Sequence, residues 1–233
     1  MQASLPLPPR HTTREDRSGH SQPNAKLTLS FEEDLRLRWA GVAYLGIILA
    51  GINSDMMFRP MALSASDTSA QALALRVSLI LDSLMLMADV ILALLLFSVF
   101  RAVNSGLAGA AMVFRLIQAV VIGASLMLQL VALQLPDMVA PLLAAQGDGY
   151  DLGLLFFAVN TGLMAHLLCH SGRAPKALPM LLMASAAVYL TGSLATLLAP
   201  GLAEAIQPAY AIPLLAELWF CLWLLFGHRS QSA

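Results

Sequence analysis

The chain has 233 residues, 58% of them hydrophobic and 12% charged, with a formal net charge of −1. A soluble domain is about a quarter charged, so half that content excludes a disordered, collagen-like or disulfide-scaffold chain and identifies lipid as the solvent. No basic or acidic excess points to a nucleic-acid partner.

In chain order, residues 1–29 read as a disordered cytoplasmic tail. The first 26 are polar and Pro-rich and hold no apolar h-region, so they are no signal peptide. Residues 30–229 form one transmembrane domain. Ser30-Phe31-Glu32-Glu33 fits a capping box that opens the first helix. Six apolar stretches follow, at about 39–58, 77–100, 107–135, 152–169, 178–198 and 210–226. Each approaches the roughly 20 residues that a helix needs to cross a bilayer. The runs are continuous rather than alternating, so they are helices. The predicted fold is all-α, a polytopic integral membrane protein with a six-helix transmembrane bundle.

Between the stretches, Ser66 is placed to cap a helix beginning at Asp67. The segment 138–143 is too short to cross and predicts a surface helix. Gly147-Asp148-Gly149-Tyr150-Asp151 reads as a turn before the fourth span. Spans two and three are joined by about six residues, which predicts antiparallel neighbours.

Positive charge sets orientation. Arg10, Arg14, Arg17, Lys26, Arg36 and Arg38 precede the first span, and Arg101, Arg173, Lys176 and Arg229 fall on the same side. The opposite side has only Arg59 and Arg76. Both termini are therefore expected in the cytoplasm, and the protein in the inner (plasma) membrane of a bacterial cell.

Several polar residues fall inside the apolar stretches, where an ionisable group marks a functional site by default. Counted from the inner helix ends at 1.5 Å per residue, Asp89, Gln118 and Tyr189 lie ~16 Å deep, Asn160 and Glu217 ~14 Å, and Arg115 ~12 Å. All are near the midplane of a ~30 Å core. Arg115 is long enough to reach Asp89. That pair with Gln118 beside it suits a functional network, and equally a device that fixes helix register. Two midplane acids face one Arg, so Glu217 is left over, which suits a proton or cation relay or a Glu hydrogen-bonded across helices. Asp55 and Asp82 lie near the outer edge, within reach of water.

His166 and His170 are spaced i, i+4 without a third ligand nearby in sequence, so no metal site is expected. Cys169 and Cys221 carry no metal or redox spacing. There is no HExxH, GxSxG, P-loop or GxGxxG, so no catalytic residue and no cofactor is assigned. The expected partner is the lipid bilayer, with a small-molecule or ion substrate open and protein partners unassigned.

The segments Ala40-Gly41-Val42-Ala43-Tyr44-Leu45, Phe114-Arg115-Leu116-Ile117-Gln118-Ala119 and Asp151-Leu152-Gly153-Leu154-Leu155-Phe156-Phe157 carry a family signal. So do Asp89-Val90-Ile91-Leu92, Tyr189-Leu190 and Glu217-Leu218-Trp219-Phe220. Over about residues 36–227 the chain resembles the bacterial membrane family called domain of unknown function 4386. It departs at Asn160 and Gly192, where the family pattern often has a His and an Asp. The resemblance implies a multi-span membrane protein and supplies no activity. Three functions stay open, in this order: a non-enzymatic membrane component with a mid-membrane polar network, a small-solute or proton-coupled transporter using Asp89 and Glu217, and an intramembrane enzyme.

Overall fold

The computed structural model describes residues 23–227. Among these residues the fold is helical throughout, and six helices are long and apolar enough to cross a membrane. The expected tail up to residue 22 lies outside the described residues. The backbone is already helical at Pro23, so Ser30 sits inside α1 (Pro23–Asn53) and does not open it. The capping-box expectation is corrected accordingly.

α1 passes into a π-helical stretch, Ser54–Phe58, and then into α2 (Arg59–Ser64). Pro60 explains the irregularity. It has no N–H to give to the carbonyl four residues back, so the ladder rearranges just before it. The next helix, α3 (Thr68–Phe100), is capped by Asp67 rather than by Ser66. The Asp67 carboxylate accepts from the N–H groups of Ser69 and Ala70, both at 3.3 Å, and from the Ser69 hydroxyl. These bonds hold its pKa below the ordinary carboxylate value, first through the Ser69 hydroxyl. The stabilisation is therefore present above the ordinary carboxylate range and is lost as pH falls through the lowered value.

α4 (Ser105–Ala132) begins at an Asn104 cap. α5 (Val139–Ser171) is one continuous helix, so the expected surface helix is its first turns, and the expected turn at Gly147–Asp151 is helical. It ends on Gly172, whose φ of +64° suits a residue without a Cβ. α6 (Ala177–Leu198), the short α7 (Pro200–Ile206) and α8 (Ala211–Phe226) complete the chain.

The long helices alternate in direction, and each packs against its neighbours in sequence: α1 on α3, α3 on α4, α4 on α5, α5 on α6, α6 on α8. α8 then packs on α1 and closes a ring. The start of α1 and the end of α8 lie at one end, called here the termini end. The solvent is legible in which atoms face out. Ser78, Asp82, Asp89, Gln118, Gln129 and Ser185 are buried, while Leu49, Leu84, Met87, Val120, Met127 and Met180 are exposed. A soluble bundle does the reverse.

The ring is filled unevenly. The main apolar cluster, with Leu37, Leu92, Phe100, Leu167, Leu182 and Leu224, occupies the termini half. A smaller cluster around Ala62, Leu75, Ala132 and Leu143 ties α2 to α3, α4 and α5 near the opposite end.

The contact of α4 with α5 runs through glycine. A Cβ on Gly149 would lie 2.6 Å from the Ser125 Cβ, and one on Gly153 would lie 2.6 Å from the Ile122 Cγ1. Gly149 and Gly153 are four apart and form a small-residue stripe against α4, the usual device for bringing membrane helices together. Gly147 has no atom near its would-be Cβ. Gly153→Ala should therefore destabilise the protein by about 1–3 kcal/mol through overpacking. Gly147→Ala should be neutral or stabilise it by up to about 1 kcal/mol through helix propensity. Unfolding in detergent, monitored by circular dichroism, reads both.

Candidate functional site

The mid-membrane polar residues fall into two groups. In the first, the Arg115 guanidinium donates from Nε (2.9 Å) and Nη2 (2.6 Å) to Asp89 Oδ1. Gln118 Nε2 donates to Asp89 Oδ2 at 3.3 Å. All three side chains are buried. The guanidinium also lies over two aromatic faces, 5.4 Å from the Tyr44 centroid and 5.2 Å from that of Phe157. A ring quadrupole attracts a cation most where water is excluded. Asn160 is buried nearby and borders, with Arg115, a void of only about 10 Å³, and its side chain makes no hydrogen bond among the described residues.

In the second group the Tyr189 hydroxyl donates to Glu217 Oε1. Rings join the groups. Tyr189 meets Phe157 edge to face at 5.2 Å, and Tyr44 meets Phe220 in the same way at 5.7 Å. Arg115, Asp89, Tyr44, Phe157, Tyr189 and Phe220 thus make one layer across the ring, with a member from each of the six long helices.

Towards the opposite end the ring opens into a cavity of about 600 Å³. Ile48, Met85, Leu154, Gly192 and Glu217 line its deepest part. Each lies three or four residues, one helical turn of ~5.4 Å, from a member of the closing layer. In the same order these are Tyr44, Asp89, Phe157, Tyr189 and Phe220. The layer is therefore a plug one turn beneath the cavity floor, continuous with the packed termini half. Glu217 belongs to both, since it lines the cavity and holds Tyr189. Asp89, Arg115 and Gln118 do not line the cavity.

Nearer the mouth, Arg59 donates to Asp55 at 3.0 Å and to Asp82 at 2.9 Å. Asp82 is buried by this pair, although its position near the membrane edge suggested contact with water. Ser54 and Ser78 hydroxyls bond at 2.8 Å beside it. The π-helical stretch thus places three polar side chains, Ser54, Asp55 and Arg59, against α3 and the cavity. Arg59 entered the sequence reading only as an orientation charge, yet its i, i+4 spacing from Asp55 was a usable signal. Tyr150 and Tyr210 also line the cavity, and Tyr210 packs where Gly192 has no Cβ.

His166 and His170 lie with ring centroids 4.1 Å apart, tilted by 32°, at the exposed termini-end side of α5. Among the described residues no group of three His, Cys, Asp or Glu could hold a metal ion.

The family model for the domain of unknown function DUF4386 matches residues 39–227. This chain belongs to that family. No curated protein and no solved structure matches it. The protein is thus an integral membrane member of a family whose activity is open, and the DUF4386 match covers all six spans.

Arg115 should be the stability centre of the plug. Arg115→Leu strands a buried Asp89 and should cost roughly 3–5 kcal/mol. Asp89→Leu combined with Arg115→Leu should recover most of that loss. Thermal unfolding of the purified variants in one detergent distinguishes them.

Proposed function

We propose that this DUF4386 protein is a small-solute carrier of the bacterial plasma membrane, binding its solute in the cavity and passing it through the ring by opening the plug. The observation that carries this reading is a 600 Å³ cavity reaching down to the Glu217 layer near mid-membrane and closed below by the plug and the packed termini half. Cavities of ~300–1,000 Å³ hold small molecules, and carriers bind near the bilayer midplane at discontinuities of their helices. The Lys and Arg bias puts both termini in the cytoplasm, so the mouth faces outwards. Asp89 then serves in the plug and Glu217 in the binding site, instead of both contacting solute.

A static membrane component is the second reading. The buried, mutually bonded Asp89–Arg115–Gln118 group favours it, because such a network also fixes helix register.

Flux decides between them. Full-length protein in proteoliposomes should take up at least one labelled solute, from a panel of amines, amino acids, sugars and carboxylates, saturably and above protein-free vesicles. Thr196→Trp, which fills the cavity, should reduce that uptake about tenfold or more. A carrier that fits none of the panel in flux or in ligand-induced thermal stabilisation leaves the static reading standing. Orientation is tested separately. Reporter fusions after Pro200 should read as external, and a cytoplasmic reading would invert the direction of the cavity.

A further inference from the structure

We infer that the cavity takes a small organic cation with an apolar body, its charge met by the Glu217 carboxylate; this rests on the solute-binding reading above. Charge balance comes first. The cavity wall carries five carboxylates, Asp55, Asp82, Asp148, Asp151 and Glu217, and one cation, Arg59. Arg59 is already engaged by Asp55 and Asp82. No basic side chain forms an ion pair with Asp148, Asp151 or Glu217 among the described residues. An anion entering the cavity would meet this surplus without a free Arg or Lys to hold it. Charges of one sign in a low-dielectric cleft concentrate counter-ions there.

Position and shape narrow the class. Glu217 is the deepest of the five acids, on the cavity floor. Among the described residues Tyr189 is its one hydrogen-bond partner, through Oε1, and no donor reaches Oε2. The walls between floor and mouth are apolar, with Ile47, Ile48, Ile52, Met85, Leu154 and Leu214. The acids are spread along the cavity, and none of them clusters as a metal ligand set among the described residues. A bare inorganic cation would find one carboxylate and a greasy wall. An ammonium on a hydrocarbon or aromatic body satisfies both surfaces. The rings of Tyr150 and Tyr210 flank the same space and suit a quaternary or protonated amine.

The test is isothermal titration of the full chain in detergent with three probes of similar shape: benzyltrimethylammonium, its neutral carbon isostere neopentylbenzene, and benzoate. The expected result is saturable binding of benzyltrimethylammonium, with the other two at least about tenfold weaker, as for loss of one charge-assisted contact. Glu217→Gln should weaken the cation about tenfold or more, while Glu217→Asp retains part of the affinity. If Glu217→Gln does not fold, Asp151→Asn gives the same direction with a smaller change. Equal binding of neopentylbenzene or benzoate, or undiminished cation binding in a folded Glu217→Gln, overturns the cation class and leaves the solute site standing. No binding of any probe also overturns it, while the flux panel judges the carrier separately. Cation binding unaltered by Thr196→Trp places the cation outside the cavity and overturns the cation class, with the carrier still judged by flux.

Discussion

A single guanidinium buried at mid-membrane sets the terms for this fold. Arg115 cannot snorkel to either surface from its place inside the ring, so its charge must be met by protein. Asp89 neutralises it, Gln118 supports Asp89, and the faces of Tyr44 and Phe157 cover what remains. These partners come from α1, α3, α4 and α5. The arginine therefore fixes the relative height of four helices at once, and Phe157 and Tyr44 extend the constraint to α6 and α8 through Tyr189 and Phe220. Van der Waals packing alone is weakly directional in lipid, because lipid tails are as apolar as the side chains they replace. A charge that tolerates one arrangement supplies the missing register.

The plug divides the ring into halves with different chemistry. On the termini side the interior is packed with leucine and aromatic side chains, and nothing polar is asked of it. On the opposite side the helices keep their distance, and polar side chains face a space instead of each other. That asymmetry follows from local sequence. The Gly149 and Gly153 stripe draws α5 onto α4, which leaves α4 out of the cavity wall. Pro60 interrupts the first span and, through the π-helical stretch, directs Asp55 and Arg59 along the cavity. Gly192 admits the Tyr210 ring beside the same space.

The spans were legible because hydrophobic length is a property of composition and the bilayer makes it binding. The depth of Asp89, Arg115, Gln118, Tyr189 and Glu217 was legible for the same reason, since rise per residue is constant in a helix. Direction around each helix was not. α1 and α5 gather their apolar side chains on no single face, so periodicity carries little information about which side meets lipid. Depth alone therefore merged two groups that the structure separates: Arg115 with Asp89 in the plug, and Glu217 with Tyr189 at the cavity floor. Gly147, Asp148 and Gly149 misled for a related reason. Glycine and aspartate favour turns in water, but in a membrane helix glycine marks close approach, and only the partner Ser125 reveals that purpose. Asp82 read as water-exposed because its partner, Arg59, lies on another helix and 23 positions back.

Glu217 is where the two halves meet. Its carboxylate faces the cavity and also accepts the hydroxyl of Tyr189, a ring of the plug. Any ligand charge placed near that carboxylate competes with the Tyr189 bond for the same negative charge. Weakening this bond loosens Tyr189 against Phe157, and Phe157 is one of the two faces that cover Arg115. A cation at the floor would thus act on the plug through three consecutive contacts without touching Arg115 or Asp89. A neutral ligand of equal size would fill the cavity and leave the Tyr189 bond intact. Charge, rather than occupancy alone, is therefore what this arrangement of side chains can convert into movement of the plug, since a ligand shifts a conformational equilibrium only through contacts that differ between its states.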